Sequence, residues 1–551
     1  VRKKGIKRRN VVMGIGTVAG AATLGGVARS AQADDGTSTS GSAHGSAASS
    51  DALVFDKDDY TTLTATISTD DGDKEVKYRF YKAVTYVANP VDEAYQSLTV
   101  SVPVEIDGKA VDASDAPILF ANSIAGFMPV SVQTATSVNA MGGGGGQGGG
   151  TWPSASASAS ASASGGTGGS ASGGGESAQA NTNLPELGLA AGYVVVQPGC
   201  RGRTLVNSEG VYYGTAPAVI VDLKAAVRYL RFNKDRIPGD TERIISTGGS
   251  AGGEVSALLG ASGDSRLYDS YLKELGAADA SDAIFATGAW CAIVDLENAD
   301  GAYEWNWGSL TAVSTGETVD AADSKELTNQ FVDYQASLHL KGLNGFGPLT
   351  ARNYDRYLLE TYLQPAAATY LKGLSAADRT AYLAGNTFIT WKNGRATFTW
   401  DDYLAHVGTR QKNLPAFDGF DLSVSISALD TNNEFGLGTT AGRHFTEYSQ
   451  KRDASGTAGK RLDSDIPEKL RLMNPMYHLR KGNPGRSKHW WIRLGTIDTY
   501  TSLTVSANLT ATVDGLGDNV SHLMYWDQGH MSDLDPGDFI KWIAKVTGYR
   551  G

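Results

Sequence analysis

Hydrophobic residues in this chain change their spacing from one stretch to the next. Residues 76–87 and 98–106 are rich in β-branched and aromatic side chains and read as strands. Residues 116–122 (Ala-Pro-Ile-Leu-Phe-Ala-Asn) and 192–196 (Gly-Tyr-Val-Val-Val) are short, nearly unbroken apolar runs. That is the pattern of a parallel strand buried on both faces. The period then lengthens: Val219, Leu223, Val227 and Leu230 fall on one face of a helix over 219–232. A strand at 243–247, a helix from Gly253 to Leu259 and a strand at 284–288 follow. Between about 300 and 470 the alternation stops, and helical patterns (325–342, 354–383) rich in Tyr and Trp replace it. Strands at 490–494 and 522–526 and an amphipathic helix at 536–546 restore it. Alternation of this kind predicts an α/β fold with a mostly parallel central sheet and helices on both faces. The main domain is expected over 51–300 and 470–551, with a large cap domain inserted over 301–469.

Composition changes this picture at two places. Residues 140–180 are a glycine run, a Ser-Ala alternation and more Gly and Ser. Such a stretch buries too little apolar surface to offset ordering entropy and is expected to be a disordered insert. At the start, Arg2, Lys3, Lys4, Lys7, Arg8 and Arg9 precede a short, weakly apolar segment that ends at Ala31-Gln32-Ala33. Residues 1–33 read as a cleavable signal, and Arg8-Arg9 resembles a twin-arginine signal rather than a membrane anchor. Residues 34–50 are small and polar, a flexible linker. The expectation is an exported protein, secreted or extracytoplasmic, with no membrane span after cleavage. The net charge of −11 argues against nucleic acid as a partner, because a polyanion needs positive charge opposite it. Two cysteines, Cys200 and Cys291, cannot build a zinc or disulfide framework. In an exported protein the two could pair; the favoured expectation is that both are small buried groups.

The candidate chemistry lies in Gly248-Gly249-Ser250-Ala251-Gly252-Gly253. A G-x-S-x-G between a strand and a helix places the serine on a strained turn, and the flanking glycines avoid clashes with the neighbouring elements. Ser250 is therefore the candidate nucleophile, with the Ala251 N–H as one oxyanion donor. Of the eight histidines, His530 alone follows a predicted strand through a short loop and comes last in the chain. In a fold of this kind the chain order is serine, acid, histidine. Asp498, just after the strand at 490–494, is the candidate acid, and Asp527 sits too near His530 in sequence to serve it easily. The second oxyanion donor is expected in the loop after 116–122, at Gly126. No metal or cofactor is required by this set.

These residues, with Arg201-Gly202-Arg203, Ala216-Pro217-Ala218-Val219-Ile220-Val221-Asp222, Arg236-Ile237-Pro238-Gly239-Asp240, Pro415-Ala416-Phe417-Asp418 and His489-Trp490-Trp491-Ile492-Arg493, resemble the bacterial tannases, α/β-hydrolases that cleave gallate esters. The resemblance runs from about Ala116 to the C-terminus outside the Gly/Ser insert. It implies a triad of Ser250, Asp498 and His530 and an oxyanion glycine at Gly126. It also implies a substrate-binding lysine at Lys412 and an apolar ring-stacking position at Ile293. The two carboxylates of that family fall on Tyr500 and near Thr431, with Asp430 and Glu434 beside the latter. A site lacking one hydroxyl-binding acid is expected to be less strict for gallate. Tyr303, Trp305 and Trp307 are either an aromatic extension of the pocket or ordinary cap core.

The sequence thus predicts a serine carboxylesterase for a small aromatic ester, gallate-like or of the feruloyl or general type. A serine peptidase of the same fold and a non-catalytic binding protein are the rival readings. The absence of blade-length repeats disfavours the first rival, and the complete triad disfavours the second.

Overall fold

The computed structural model describes residues 50–139, 183–424, 430–457 and 459–551. The expected signal, the linker up to residue 49 and the whole of the Gly/Ser insert lie outside these residues. Ten strands make the main sheet, nine of them along one path: β1 (Thr61–Thr69), β2 (Gly72–Thr85), β3 (Ser97–Ile106), β4 (Pro117–Ala121), β5 (Val194–Pro198), β6 (Asp240–Gly249), β7 (Ala286–Trp290), β8 (His489–Gly495) and β9 (Asn519–Tyr525); the two-residue strand Lys109–Ala110 pairs with β3 off that path. Their order is β1-β2-β3-β5-β4-β6-β7-β8-β9. From β5 to β9 every neighbouring pair is parallel. The first three strands form an antiparallel edge that joins β5. β1 is the one long strand of this sheet that the apolar pattern does not announce. It is Thr-rich and mostly exposed on one edge, so its pairing with β2, not burial, defines it.

Both faces of the sheet are covered, and adjacent tryptophans on β8 show how. Side chains of neighbouring strand residues point to opposite faces. Trp490 packs so closely against the helix Ala251–Ser262 that a Cβ on Gly260 would come within 3.0 Å of it. Trp491 turns the other way and packs on Trp542 of the helix Pro536–Thr547, ring centroids 5.5 Å apart. The helix Ala218–Phe232 is buried nearly all round rather than on one face. Its two fully buried charged residues survive burial because they are paired, Asp222 with Arg201 and Lys224 with Asp282.

The chain between β7 and β8 holds the helical stretch. It opens with the helix Leu296–Trp307, which crosses the expected boundary at 300, and continues with Ala321–Leu338. The helical pattern at 354–383 is broken into shorter pieces, with Pro365 at the start of Gln364–Gly373 and Ser375 capping Ala376–Gly385. Among the described residues no helix is long and apolar enough to cross a membrane.

Candidate active site

Ser250 sits between the end of β6 and the helix Ala251–Ser262 with φ 57° and ψ −124°. An L-residue adopts this strained conformation only when its surroundings impose it. The glycines permit it. A Cβ at Gly248 or Gly252 would lie within 2.6 Å of Asn122, and one at Gly253 within 2.5 Å of the Trp290 carbonyl. The Ser250 N–H donates to that carbonyl (3.0 Å). Asn122, at the end of β4, donates to the Thr247 and Gly252 carbonyls and to Ser256 Oγ. It splints the turn from the side, a role that no pattern in the sequence signals.

Strand ends β8 and β9 deliver the two partners. His530 Nε2 lies 2.9 Å from Ser250 Oγ, and its Nδ1 lies 2.8 Å from Asp498 Oδ2. The other carboxylate oxygen of Asp498 accepts the Tyr500 N–H (3.0 Å). Asp498 is fully buried. Burial by itself pulls the His530 imidazole down, but the Asp498 charge and hydrogen bond, with Cys291 beside it, raise it well above the ordinary histidine value. A buried carboxylate that favours the imidazolium prepares the histidine to accept a proton from a serine hydroxyl. The rival acid, Asp527, is turned away and engages His406 Nε2 (2.6 Å) and the Tyr382 hydroxyl.

The loop after β4 has two successive residues with positive φ, Gly126 (53°) and Phe127 (56°). The Ala125 carbonyl accepts the Met128 N–H (3.0 Å) within the turn. A trans peptide sets its N–H opposite its C=O, so the Gly126 N–H points out of that turn. Arg203 clamps the loop: its Nε donates to the Gly126 carbonyl (2.6 Å) and its backbone N–H to Phe127 O (3.0 Å). The Gly252 N–H in turn donates to Ile124 O (3.1 Å), tying this loop to the serine turn. A cavity of about 420 Å³ opens beside the turn, walled by Ser123–Ala125, Gly248, Gly249, Trp290 and Met531.

The residues expected to bind substrate are placed less uniformly. Tyr500 lies over the imidazole of His530 (centroids 4.9 Å) and is about one-third exposed. The Lys412 ammonium sits 4.0 Å from the centre of the Phe417 ring. Its backbone N–H donates to the Tyr303 hydroxyl, which donates to Thr499 O, so Lys412 is tied to the loop that carries Asp498 and Tyr500. Ile293 is half-buried and packs on the main core. Thr431 is buried, and Glu434 is fully buried near the charges of Arg203 and Lys469, its carboxyl pushed well up by burial. Glu434 is therefore not open to a ligand. Asp430 begins the short helix Asp430–Glu434.

Tyr303 and Trp307 do not widen a pocket. Both are fully buried, and Trp307 Nε1 donates to Thr501 O (2.7 Å) as Tyr303 does to Thr499 O (2.6 Å). Trp305 packs among Phe331, Tyr354 and Trp400. These aromatics brace the acid loop from behind. Beneath them Arg410 and Glu304 form an ion pair with no exposed side-chain surface, and Arg410 also donates to the Lys412 and Asn413 carbonyls. The cysteines are free and buried as expected, but Cys291 stands next to His530, a proximity missed because the strand predicted at 284–288 actually runs to Trp290.

A family model described as BD-FAE matches residues 167–329. The chain is similar to a solved tannin acyl hydrolase in complex with 3,4-dihydroxybenzoate (30% identity, TM-score 0.72), covering 90% of this chain and 99% of that one. It is similar to the tannase of Fusobacterium nucleatum (32%, 0.69) over the same shares of the two chains. Native tannin acyl hydrolase from Lactobacillus plantarum (30%, 0.71) is covered equally well. No curated protein sequence matches the chain.

Proposed function

The chain belongs to the tannase family of ester hydrolases with the α/β-hydrolase fold, and on that premise we propose that it is an exported serine carboxylesterase for esters of phenolic, gallate-like acids. The observation that carries the serine mechanism is the continuous line of hydrogen bonds from Asp498 through His530 to Ser250. Ser250 Oγ attacks the ester carbonyl as His530 Nε2 takes its proton. The N–H groups of Ala251 and Gly126 hold the oxyanion, and Asp498 stabilises the imidazolium. His530 then protonates the departing alcohol. In the second half-reaction it takes a proton from water, which attacks the acyl-serine and releases the acid. No cofactor enters these steps.

The aromatic acyl group is inferred from the relatives, of which one holds 3,4-dihydroxybenzoate and another ethyl gallate, and from Lys412 beside the acid loop. Tyr500 on His530 and the buried Thr431 favour a broader set of aromatic acids than gallate alone, because neither presents a carboxylate to ring hydroxyls. Export rests on residues 1–33, with their paired arginines and Ala-Gln-Ala.

The test is hydrolysis of methyl gallate, methyl ferulate and methyl benzoate beside a peptide anilide, with fluorophosphonate labelling of Ser250. Cleavage of the phenolic esters and labelling of that serine are expected. Exclusive cleavage of the anilide, or an unlabelled serine in an active chain, would overturn the reading.

A further inference from the structure

Three neighbouring parallel strands, β7, β8 and β9, end at one place on the sheet edge. Each is followed by a residue with metal-binding chemistry: Cys291 directly after β7, Asp498 in the loop after β8 and His530 in the loop after β9. The Cys291 sulfur, a ring nitrogen of His530 and a carboxylate oxygen of Asp498 all lie within 4.8 Å of one another. The Met531 thioether adds a fourth donor, its sulfur 3.6 Å from Cys291 Sγ. The ester chemistry described above uses neither sulfur.

We propose that Cys291, His530 and Asp498, with the Met531 thioether, form a site for a thiophilic divalent cation such as Zn²⁺ or Cd²⁺, whose binding shuts off the esterase. The inference rests on the assignment of His530 as the catalytic base. Donors bonded at about 2.0–2.3 Å to a tetrahedral ion stand roughly 3.3–3.8 Å apart, so shifts of an ångström or less bring this set to a cation. Thiolate, imidazole and thioether are the ligands that select soft and borderline ions. The charges also match: one thiolate and one carboxylate neutralise a divalent ion. On binding, the thiol proton passes to solvent and the sulfur–metal bond forms, while His530 gives the metal the lone pair of Nδ1, the nitrogen that faces Asp498, as the Nδ1 proton moves to Nε2. Nε2 then carries a hydrogen towards Ser250 and has no lone pair left to take the serine proton. Cys291 is only 2% exposed, but Met531 beside it is 50% exposed, so a cation enters past the thioether.

Cadmium is the probe, because its thiolate complexes absorb in the ultraviolet whether or not the protein is active. Wild type and Cys200→Ser, in which Cys291 is the only thiol, are expected to develop the thiolate-to-cadmium band in step with loss of ester hydrolysis. A chelator restores both. Cys291→Ser and Cys291→Ala are expected to hydrolyse ester, to lack the band, and to need ~10-fold or more additional Cd²⁺ for the same inhibition. Ser250→Ala is expected to show the band without any hydrolysis. Absence of the band in wild type or in Cys200→Ser overturns the proposal, as does a Cys291→Ser protein inhibited at the wild-type concentration. A wild-type chain that binds cadmium at Cys291 but cleaves no ester overturns the proposed function and leaves the cation site standing.

Discussion

The carboxyl edge of the sheet and the chain inserted between β7 and β8 treat their polar residues differently. At the sheet edge Ser250, Asp498 and His530 hang from strand ends whose positions the parallel ladder fixes, and their polar atoms meet across long sequence separations. In the insert the charged groups are mostly engaged with one another. Arg410 closes on Glu304, and Asp418 accepts from Asn432, His444, Phe445 and Thr446. A chemical group at a strand end is placed by the backbone. A group in the insert is placed by whichever partners burial forces on it. The first kind is held by the strand ladder, and the second depends on every partner packed around it.

Substitutions should expose this difference, beginning with the sheet edge. Ser250→Ala is expected to lower kcat by on the order of 10⁴–10⁶-fold, and Asp498→Asn by about 10⁴-fold, with little change in thermal unfolding. Steady-state kinetics beside calorimetry check both. If either variant keeps kcat within a factor of ten, the edge is not the catalytic region.

In the insert, loss should appear as stability before it appears as rate. Glu304→Ala leaves the Arg410 guanidinium buried without its carboxylate and is expected to cost about 3–5 kcal/mol of folding free energy. Denaturant unfolding reads this directly. Arg203→Lys tests the junction of the two regions. It removes the planar group that holds the Gly126 carbonyl and is expected to lower kcat about 10²-fold at nearly constant KM. A rise in KM alone would show that Arg203 serves binding instead.

The acids behind the site make the insert sensitive to pH. Burial first, then the charge of Asp418, pushes the Asp300 carboxyl up to about 7. Its native value lies above its unfolded one, so its contribution to stability is complete below about pH 4 and declines as pH rises towards 7. His478 and His522, lowered by burial to about 4 and about 3, act in the opposite sense as pH falls below 6.5. The Asp300 effect is therefore read as a difference. Asp300→Asn should gain melting temperature relative to wild type between pH 4 and pH 7 and keep a constant difference above. A flat difference across that range would show that Asp300 is ionised in the fold.

The smallest effect is expected at Lys412. Lys412→Met should raise KM for methyl gallate several-fold and leave methyl benzoate nearly unchanged if, as proposed, this group meets ring hydroxyls and not the scissile carbonyl. Equal effects on both esters would move the acyl pocket away from the insert.

Much of this was legible in the residues alone. The parallel half of the sheet follows from short apolar runs, because a strand buried on both faces admits few polar residues. The positions of Ser250, Asp498 and His530 follow from chain order and from the loops after predicted strands. Those signals are local. The antiparallel edge strand β1 is exposed and polar, so its pairing left little trace in the pattern. Asn122 and Arg203 work through contacts with backbone atoms remote in sequence, and no spacing rule reports such contacts.

Sequence by itself determined the α/β alternation, the strained turn at Ser250 and the identity of its partners, since each depends on residue type and order along a short stretch. Tertiary structure alone decided that Tyr303 and Trp307 brace the acid loop, that Glu434 is buried behind Arg203 rather than open to substrate, and that Cys291 stands against His530. The physical reason is the same in each case. Burial and long-range packing choose the partner of a side chain in the interior, and that choice is made in three dimensions.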